Sequence, residues 1–193
     1  MNRHFDSIII GAGQAGPSLA GRQTQAGHQV ALIERKLFGC TCVNTGCVPT
    51  KAMVASARAA HISRRASDFG VTILGSIQVD LKAVKARKDA ISAKSRNGGE
   101  HWLRGMKNCT VFHESARFVS SYEIAAGSET ISADRIFINV GGRAVGPNLP
   151  AATCPCCSAT TKCSTRIISP ECGSGHRATS PAAKTPEALV SRY

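Results

Sequence analysis

Aromatic and acidic residues are both scarce in this sequence. Phe, Trp and Tyr make up 5% of its 193 residues, so a core must rest on Val, Ile, Leu and Ala. Twelve Asp and Glu stand against 24 Lys and Arg, a net charge of +12. Such an excess favours anionic partners, nucleic acid among them. The basic residues between Lys82 and Lys107, however, follow a helix-like stretch without interleaved aromatics. We interpret them as a solvated helix face and expect no nucleic-acid partner.

Long hydrophobic runs are missing as well. The apolar run from Ser7 to Ile10 ends in a glycine turn, far short of the ~20 residues that a membrane-spanning helix needs. With no secretory signal visible either, we expect a cytoplasmic protein without a membrane partner. In that compartment, nine cysteines indicate redox or metal chemistry rather than a disulfide scaffold.

Hydrophobic periodicity predicts an α/β fold that begins with a β-α-β unit and continues with two helices, a β-meander and a returning strand. The predicted elements are a strand over 5–10, a helix over 14–26, a strand over 28–33, helices over 41–64 and 80–104, short strands over 109–112, 116–120, 122–125 and 130–132, and a strand over 135–140. Asp80 is the expected N-cap of the second long helix.

The composition changes from about Ala151. The segment that follows is crowded with Ser, Thr, Ala, Pro and Cys, and it has no aromatic residue before Tyr193. We therefore predict a domain over residues 1–150 and an irregular tail over 151–193. A frameshift near Pro150 is one hypothesis for the tail. A zinc cluster is another, but it lacks the paired C-x-x-C spacing, so we expect no metal site among Cys154, Cys156, Cys157, Cys163, Cys172 and His176.

The string IIIGAGQAG predicts a dinucleotide-binding turn between the first strand and the first helix. Gly11 allows the tight turn, Gly13 lets a pyrophosphate approach the backbone, and Gly16 lets the helix pack closely on the strand. Glu34 ends the second strand about twenty residues on, where a carboxylate can accept hydrogen bonds from ribose hydroxyls. Arg35 is interpreted as a surface or adenine-proximal residue.

Cys42 and Cys47 lie at the start of the next predicted helix, in FGCTCVNTGCVPTK. In a regular helix their Cα atoms would be at least ~7.5 Å apart, beyond the ~6.8 Å usual for a disulfide. A bridge would require a distorted turn, for which Gly46 has the conformational freedom. Lys51, one helical turn beyond Cys47, favours a thiolate. The alternative is two unpaired cysteines in an apolar cluster.

These motifs, followed by INVGGRA, resemble the class I pyridine nucleotide-disulfide oxidoreductases. The local sequence is most similar to mercuric reductase-like and glutathione reductase-like members. The resemblance runs from about Phe5 to Pro150. It implies a Rossmann-like FAD-binding domain with a parallel sheet plus β-meander, incomplete here. It further implies FAD as cofactor, NAD(P)H as electron donor, and a small-molecule disulfide or metal ion as substrate.

The resemblance also implies residue roles. Cys47 would be the charge-transfer thiol beside the flavin, Cys42 the interchange thiol, and Lys51 a cation near the reactive flavin nitrogen. The expected FAD contacts are Gly11, Gly13, Gly16, Glu34, Arg35, Thr41, Lys51, Ala116, Gly141 and Gly142.

The sequence departs from the family pattern in two ways. Gly39-Cys40 replaces a usual pair of glycines, for which we expect weakened flavin binding. The NAD(P)H-binding domain and the interface domain of the homodimeric family have no counterpart after Pro150. We therefore expect an enzyme-family chain with impaired activity, and the alternative is a non-catalytic FAD-binding remnant.

Overall fold

The computed structural model describes residues 3–142, so the predicted tail over 151–193 lies outside the described residues. This part of the chain forms two compact units, residues 3–44 with 93–142 and residues 45–92. The elements in chain order are β1 (Arg3–Ile10), α1 (Ala15–Gln25), β2 (Val30–Ile33), α2 (Cys40–Asn44), α3 (Cys47–Arg64), a 3-10 helix (Ala66–Phe69), α4 (Leu81–Gly105), β3 (Cys109–Phe112), β4 (Ala116–Phe118), β5 (Glu123–Ala126) and β6 (Glu129–Ile138).

The first unit is built on one six-stranded sheet in the order β3-β2-β1-β6-β5-β4. β3, β2, β1 and β6 run parallel, whereas β4, β5 and β6 form an antiparallel meander. The predicted α/β class and the combination of parallel sheet and meander are confirmed. We had expected residues 109–112 to begin the meander, but β3 pairs in parallel with β2.

β6 corrects a second expectation. The segments 130–132 and 135–140, predicted as two strands, form one strand of ten residues. Its first part pairs antiparallel with β5, and from Ile131 onwards it pairs in parallel with β1. In the sequence, the exposed Asp134 and Arg135 in its middle look like a loop between two strands, although both lie within β6 and Arg135 pairs with Ser7 of β1.

The sheet cannot be flat. β3 and β4 are at opposite ends of the strand order, which would separate them by about 24 Å at ~4.8 Å per strand. The chain from Phe112 to Ala116 spans at most about 14 Å. The sheet must therefore curl, and a core cluster joins Phe5, Ile8 and Phe112 to Ile124 and Ile131 of the meander.

The other core cluster lies under α1 and the C-terminal part of α4. It contains Ile9 and Leu32 from the sheet, Ala20 from α1 and Leu103 from α4. β1 thus contributes to both clusters, which explains the run of three isoleucines at its C-terminal end. Its one buried polar side chain, Ser7, donates a hydrogen bond to the Gln23 side-chain oxygen.

The second unit is helical. α3 buries the small residues Ala52, Ala57 and Ala60, and the Arg87 guanidinium of α4 donates to the Ala52 carbonyl at 2.9 Å. Lys88 is buried and forms an ion pair of 2.6 Å with Asp89. None of the helices between residues 3 and 142 is long and apolar enough to cross a membrane.

One predicted helix is two helices in the structure. The helix expected over 41–64 is divided into α2 and α3. Gly46, between them, has φ −115° and ψ −107°, which no helical turn accommodates. The predicted distorted turn before Cys47 is therefore present.

Asp80 provides a first prediction. Its Oδ1 accepts hydrogen bonds from the Lys82 and Ala83 amides at 2.8 and 3.1 Å, the expected capping arrangement. Asp80→Ala should lower the free energy of unfolding by about 1 kcal/mol, measured by urea denaturation. Asp68→Ala is the control, because Asp68 forms an exposed ion pair with Arg65 worth ~0–1 kcal/mol. An Asp80 variant no less stable than the control would contradict the capping role.

Candidate dinucleotide and thiol site

The turn between β1 and α1 is held by backbone contacts. Gly11 has φ +108°, and its amide donates to the Ile33 carbonyl at 2.8 Å. A Cβ on Gly11 would lie 2.3 Å from the Asn139 carbonyl oxygen, at the end of β6. Both the conformation and the space therefore require glycine at this position.

Gly16 and Gly13 differ in what surrounds them. A Cβ on Gly16 would lie 2.2 Å from the Gly11 carbonyl oxygen, so α1 contacts the turn backbone directly. A Cβ on Gly13 would meet nothing closer than the Asn139 Nδ2 at 3.4 Å, an ordinary contact distance. Packing within the protein therefore demands glycine at 11 and 16, whereas residue 13 is buried but would have room for a Cβ.

The N-terminus of α1 begins two residues after Gly13. Within α1 itself, the first turn contains no acidic residue, and the N-cap residue Gln14 makes no side-chain capping bond. The first amides of a helix have no intrahelical acceptors and lie at the positive end of its dipole. The local charge and donors suit an anion.

Glu34 braces the same turn. Its Oε2 accepts from the Ala12 amide at 2.9 Å and its Oε1 from the Lys36 amide at 2.8 Å. An ionised carboxylate has about four acceptor positions, so these two bonds leave capacity for ribose hydroxyls. Sequence reasoning expected the ligand contact and missed the bracing role. Arg35, next in the chain, is exposed.

The segment from Phe38 to Asn44 lies against the turn. The Gly39 amide donates to the Ala12 carbonyl at 2.9 Å. The Asn44 amide nitrogen donates to the Phe38 and Cys40 carbonyls at 2.9 and 2.8 Å. Thr41, a predicted cofactor contact, is exposed in α2.

Two asparagines matter here that sequence reasoning missed. Asn44 organises the segment around Cys40, and the Asn139 Nδ2 donates to the Gly11 carbonyl at 3.3 Å. The available signals were an amide between the two cysteines and an amide that ends an apolar strand before Gly141-Gly142.

The two cysteines of the predicted pair lie in different units. Cys42 is in α2 of the first unit, and Cys47 is the first residue of α3 in the second. Among the cysteines of the described residues, Cys40 and Cys47 are exposed, whereas Cys42 and Cys109 are partly buried. Cys47 and Lys51 are both exposed and one turn apart on α3, the spacing that places side chains on one helix face.

The remaining predicted contacts lie further along the chain. Ala116 is the half-buried first residue of β4. Gly141 and Gly142 follow β6 and are exposed, with φ +68° at Gly141. The structure therefore brings together Gly11, Gly13, Gly16 and Glu34, at the carboxyl ends of β1 and β2. In parallel sheets this edge is where ligands bind.

The sequence profile of the family described as "Pyridine nucleotide-disulphide oxidoreductase" matches residues 5–177. The match extends past Pro150, into residues outside the described range. Two curated relatives are dihydrolipoyl dehydrogenases. The protein of Acholeplasma laidlawii is 30% identical over 78% of this chain and 44% of its own length. That of Chlamydia muridarum is 39% identical over 73% of this chain and 30% of its own length.

The solved structures add a fold comparison. The Cu(II) complex of the HOCl-induced flavoprotein disulfide reductase RclA from Escherichia coli superposes with a TM-score of 0.64 at 31% identity. The match covers 78% of this chain and 31% of that one. The chain thus spans less than half the length of these relatives.

Gly16 provides a second prediction. Gly16→Ala should lower the free energy of unfolding by about 1–3 kcal/mol, because the new methyl group meets the Gly11 backbone. Gly98→Ala in α4 is the matched control, since its Cβ would meet no atom within 4 Å. That variant should gain about 1 kcal/mol from helix propensity. Equal effects of the two substitutions in urea denaturation would contradict the close contact.

Cys109 provides a third prediction. Burial raises the pKa of this thiol, at the start of β3, so its thiolate fraction at about pH 8 is reduced. Iodoacetamide should therefore modify Cys109 more slowly than the exposed Cys40, as measured by peptide mass spectrometry. The difference should narrow as the pH rises towards about 10. A rate for Cys109 that equals that of Cys40 at both pH values would show that burial does not protect it.

Proposed function

Since the chain belongs to the pyridine nucleotide-disulphide oxidoreductase family, we propose that it binds FAD on the β1–α1 turn and carries Cys42 and Cys47 as a redox-active pair. The observation that supports this most is the turn itself. Gly11 and Gly16 are required by backbone contacts, whereas packing within the protein does not explain glycine at position 13, beside the N-terminus of α1. A glycine that the fold itself does not require fits a turn whose backbone a dinucleotide phosphate approaches closely.

The residues present fit this cofactor. Gly13 and the first amides of α1 would hold the pyrophosphate, and Glu34 would hold the ribose while it keeps its bonds to the turn. Arg35, Thr41, Ala116, Gly141 and Gly142 are proposed as further contacts. We assign the cofactor-binding part to residues 1–150 and the irregular tail to 151–193.

FAD, when bound, supplies two-electron transfer between NAD(P)H and the cysteine pair. The cysteines do the remaining chemistry. A disulfide between Cys42 and Cys47 takes up two electrons and two protons to become two thiols. The Cys42 thiolate then attacks a substrate disulfide, which forms a mixed disulfide with Cys42 and releases one substrate sulfur as a thiol. Cys47 attacks the Cys42 sulfur of the mixed disulfide, which releases the second substrate thiol and restores the bridge. Lys51 stabilises the Cys47 thiolate as a nearby cation.

A small-molecule disulfide or a thiophilic metal ion is the proposed electron acceptor. A flavoprotein disulfide reductase among the solved structures supports the disulfide. The dihydrolipoyl dehydrogenases are named for the reverse direction of the same exchange, the oxidation of a dithiol. The sequence TCVNTGCVPTK resembles mercuric reductase-like members, which supports a metal ion as the acceptor. A chain that holds FAD without turnover is the second candidate.

Absorbance spectroscopy on the purified full chain tests the proposal. We expect flavin absorbance after incubation with FAD, and a long-wavelength charge-transfer band from the Cys47 thiolate after chemical reduction. Cys47→Ser should abolish this band. Cys42→Ser is the matched control and should show the band without prior reduction, because Cys47 has lost its partner.

The outcomes separate the parts of the proposal. Absence of bound flavin at saturating FAD refutes the cofactor site. A band that persists in Cys47→Ser refutes the assignment of Cys47. Bleaching of bound flavin by NADPH supports the enzyme, whereas bound flavin that NADPH does not bleach supports the second candidate.

A further inference from the structure

Cys40 has a backbone conformation that cysteine rarely adopts. Its φ is +49°, directly after Gly39 at +84°. Among residues 3–142, Asn108 is the other non-glycine residue with positive φ, and asparagine tolerates this region far better than most residues. A glycine would adopt the Cys40 conformation without strain.

The backbone around Cys40 is held from both sides. The Gly39 amide is bonded to the Ala12 carbonyl of the turn at 2.9 Å, and the Gly39 carbonyl accepts from the Val43 amide at 3.2 Å. The Cys40 carbonyl accepts from the Asn44 side chain at 2.8 Å. The conformation therefore cannot relax without loss of these bonds, and it determines the direction of the Cys40 side chain.

That side chain lies against Gly13. The position that a Cβ would take on Gly13 is 3.5 Å from the Cys40 Cβ and 3.6 Å from its Sγ. Gly13 is buried, whereas Cys40 is exposed. The Cys40 side chain therefore covers part of the backbone on which a phosphate would approach.

We propose that Cys40 is an affinity-determining residue of the dinucleotide site: its side chain narrows the approach to Gly13 and weakens the binding of the pyrophosphate. The inference rests on the proposed function, since it presumes that FAD occupies this turn. The strained backbone conformation holds the side chain in this contact with Gly13. A glycine at position 40 would remove both.

Equilibrium titration with FAD tests this on the full chain freed of flavin. Cys40→Gly should lower the dissociation constant about tenfold, equivalent to ~1.4 kcal/mol, and the larger side chain of Cys40→Val should raise it. Asn108→Gly is the matched control. It also replaces a residue of positive φ, but at the amino end of β3, and should leave the dissociation constant unchanged.

A second measurement uses the unmodified sequence. Saturating FAD should slow the alkylation of Cys40 and leave the rate at Cys109 unchanged, as resolved by peptide mass spectrometry. An equal slowing of both cysteines would indicate general stabilisation and overturn the local contact.

The remaining outcomes are distinguishable. If the wild type binds FAD and Cys40→Gly binds no more tightly, the role of Cys40 is overturned and the proposed function stands. If Cys40→Gly binds FAD and the wild type does not, both are supported. If neither binds, both fail.

Discussion

The close approach of three backbone segments at one edge of the sheet is the constraint on which the site depends. α1 touches the turn after β1 at Gly16, and the end of β6 touches the same turn at Gly11. Neither contact leaves room for a single methyl group. The carbonyl and amide of Ala12 then connect this turn to Gly39 and to the Glu34 carboxylate. Two of the three glycines are thus explained by packing alone, whereas Gly13 is buried without such a close contact.

The β-α-β unit was predictable because three independent signals agree within it. The apolar strand, the glycine spacing and the carboxylate that ends β2 each require the same geometry. β6 was harder, since its neighbours change along its length. Asp134 and Arg135 are exposed, and two consecutive polar residues usually indicate a loop. The ladder to β1 continues past both of them to Ile138, and only the tertiary pairing specifies that continuity.

Two asparagines of the site were not predicted from the sequence. Asn44 and Asn139 act through amide groups that bind backbone carbonyls, and nothing in a single sequence distinguishes such an amide from an exposed one. Glu34 was identified by position, but its bonds to Ala12 and Lys36 depend on how closely two loops approach each other. Motifs therefore predicted the chemical groups of the site, whereas the structure supplies the contacts that hold them.

The break between α2 and α3 connects the fold to the thiol chemistry. A helix continuous from Thr41 to Arg64 would hold Cys42 and Cys47 at least ~7.5 Å apart and prevent a bridge. The interruption at Gly46 removes this restriction. Cys42 lies in the five-residue α2, and Cys47 is the first residue of α3. The break was predictable in place though not in detail, because glycine is the residue that most readily adopts a backbone conformation outside the helical region. The exact bounds of the two helices depend on tertiary contacts that a single sequence does not reveal.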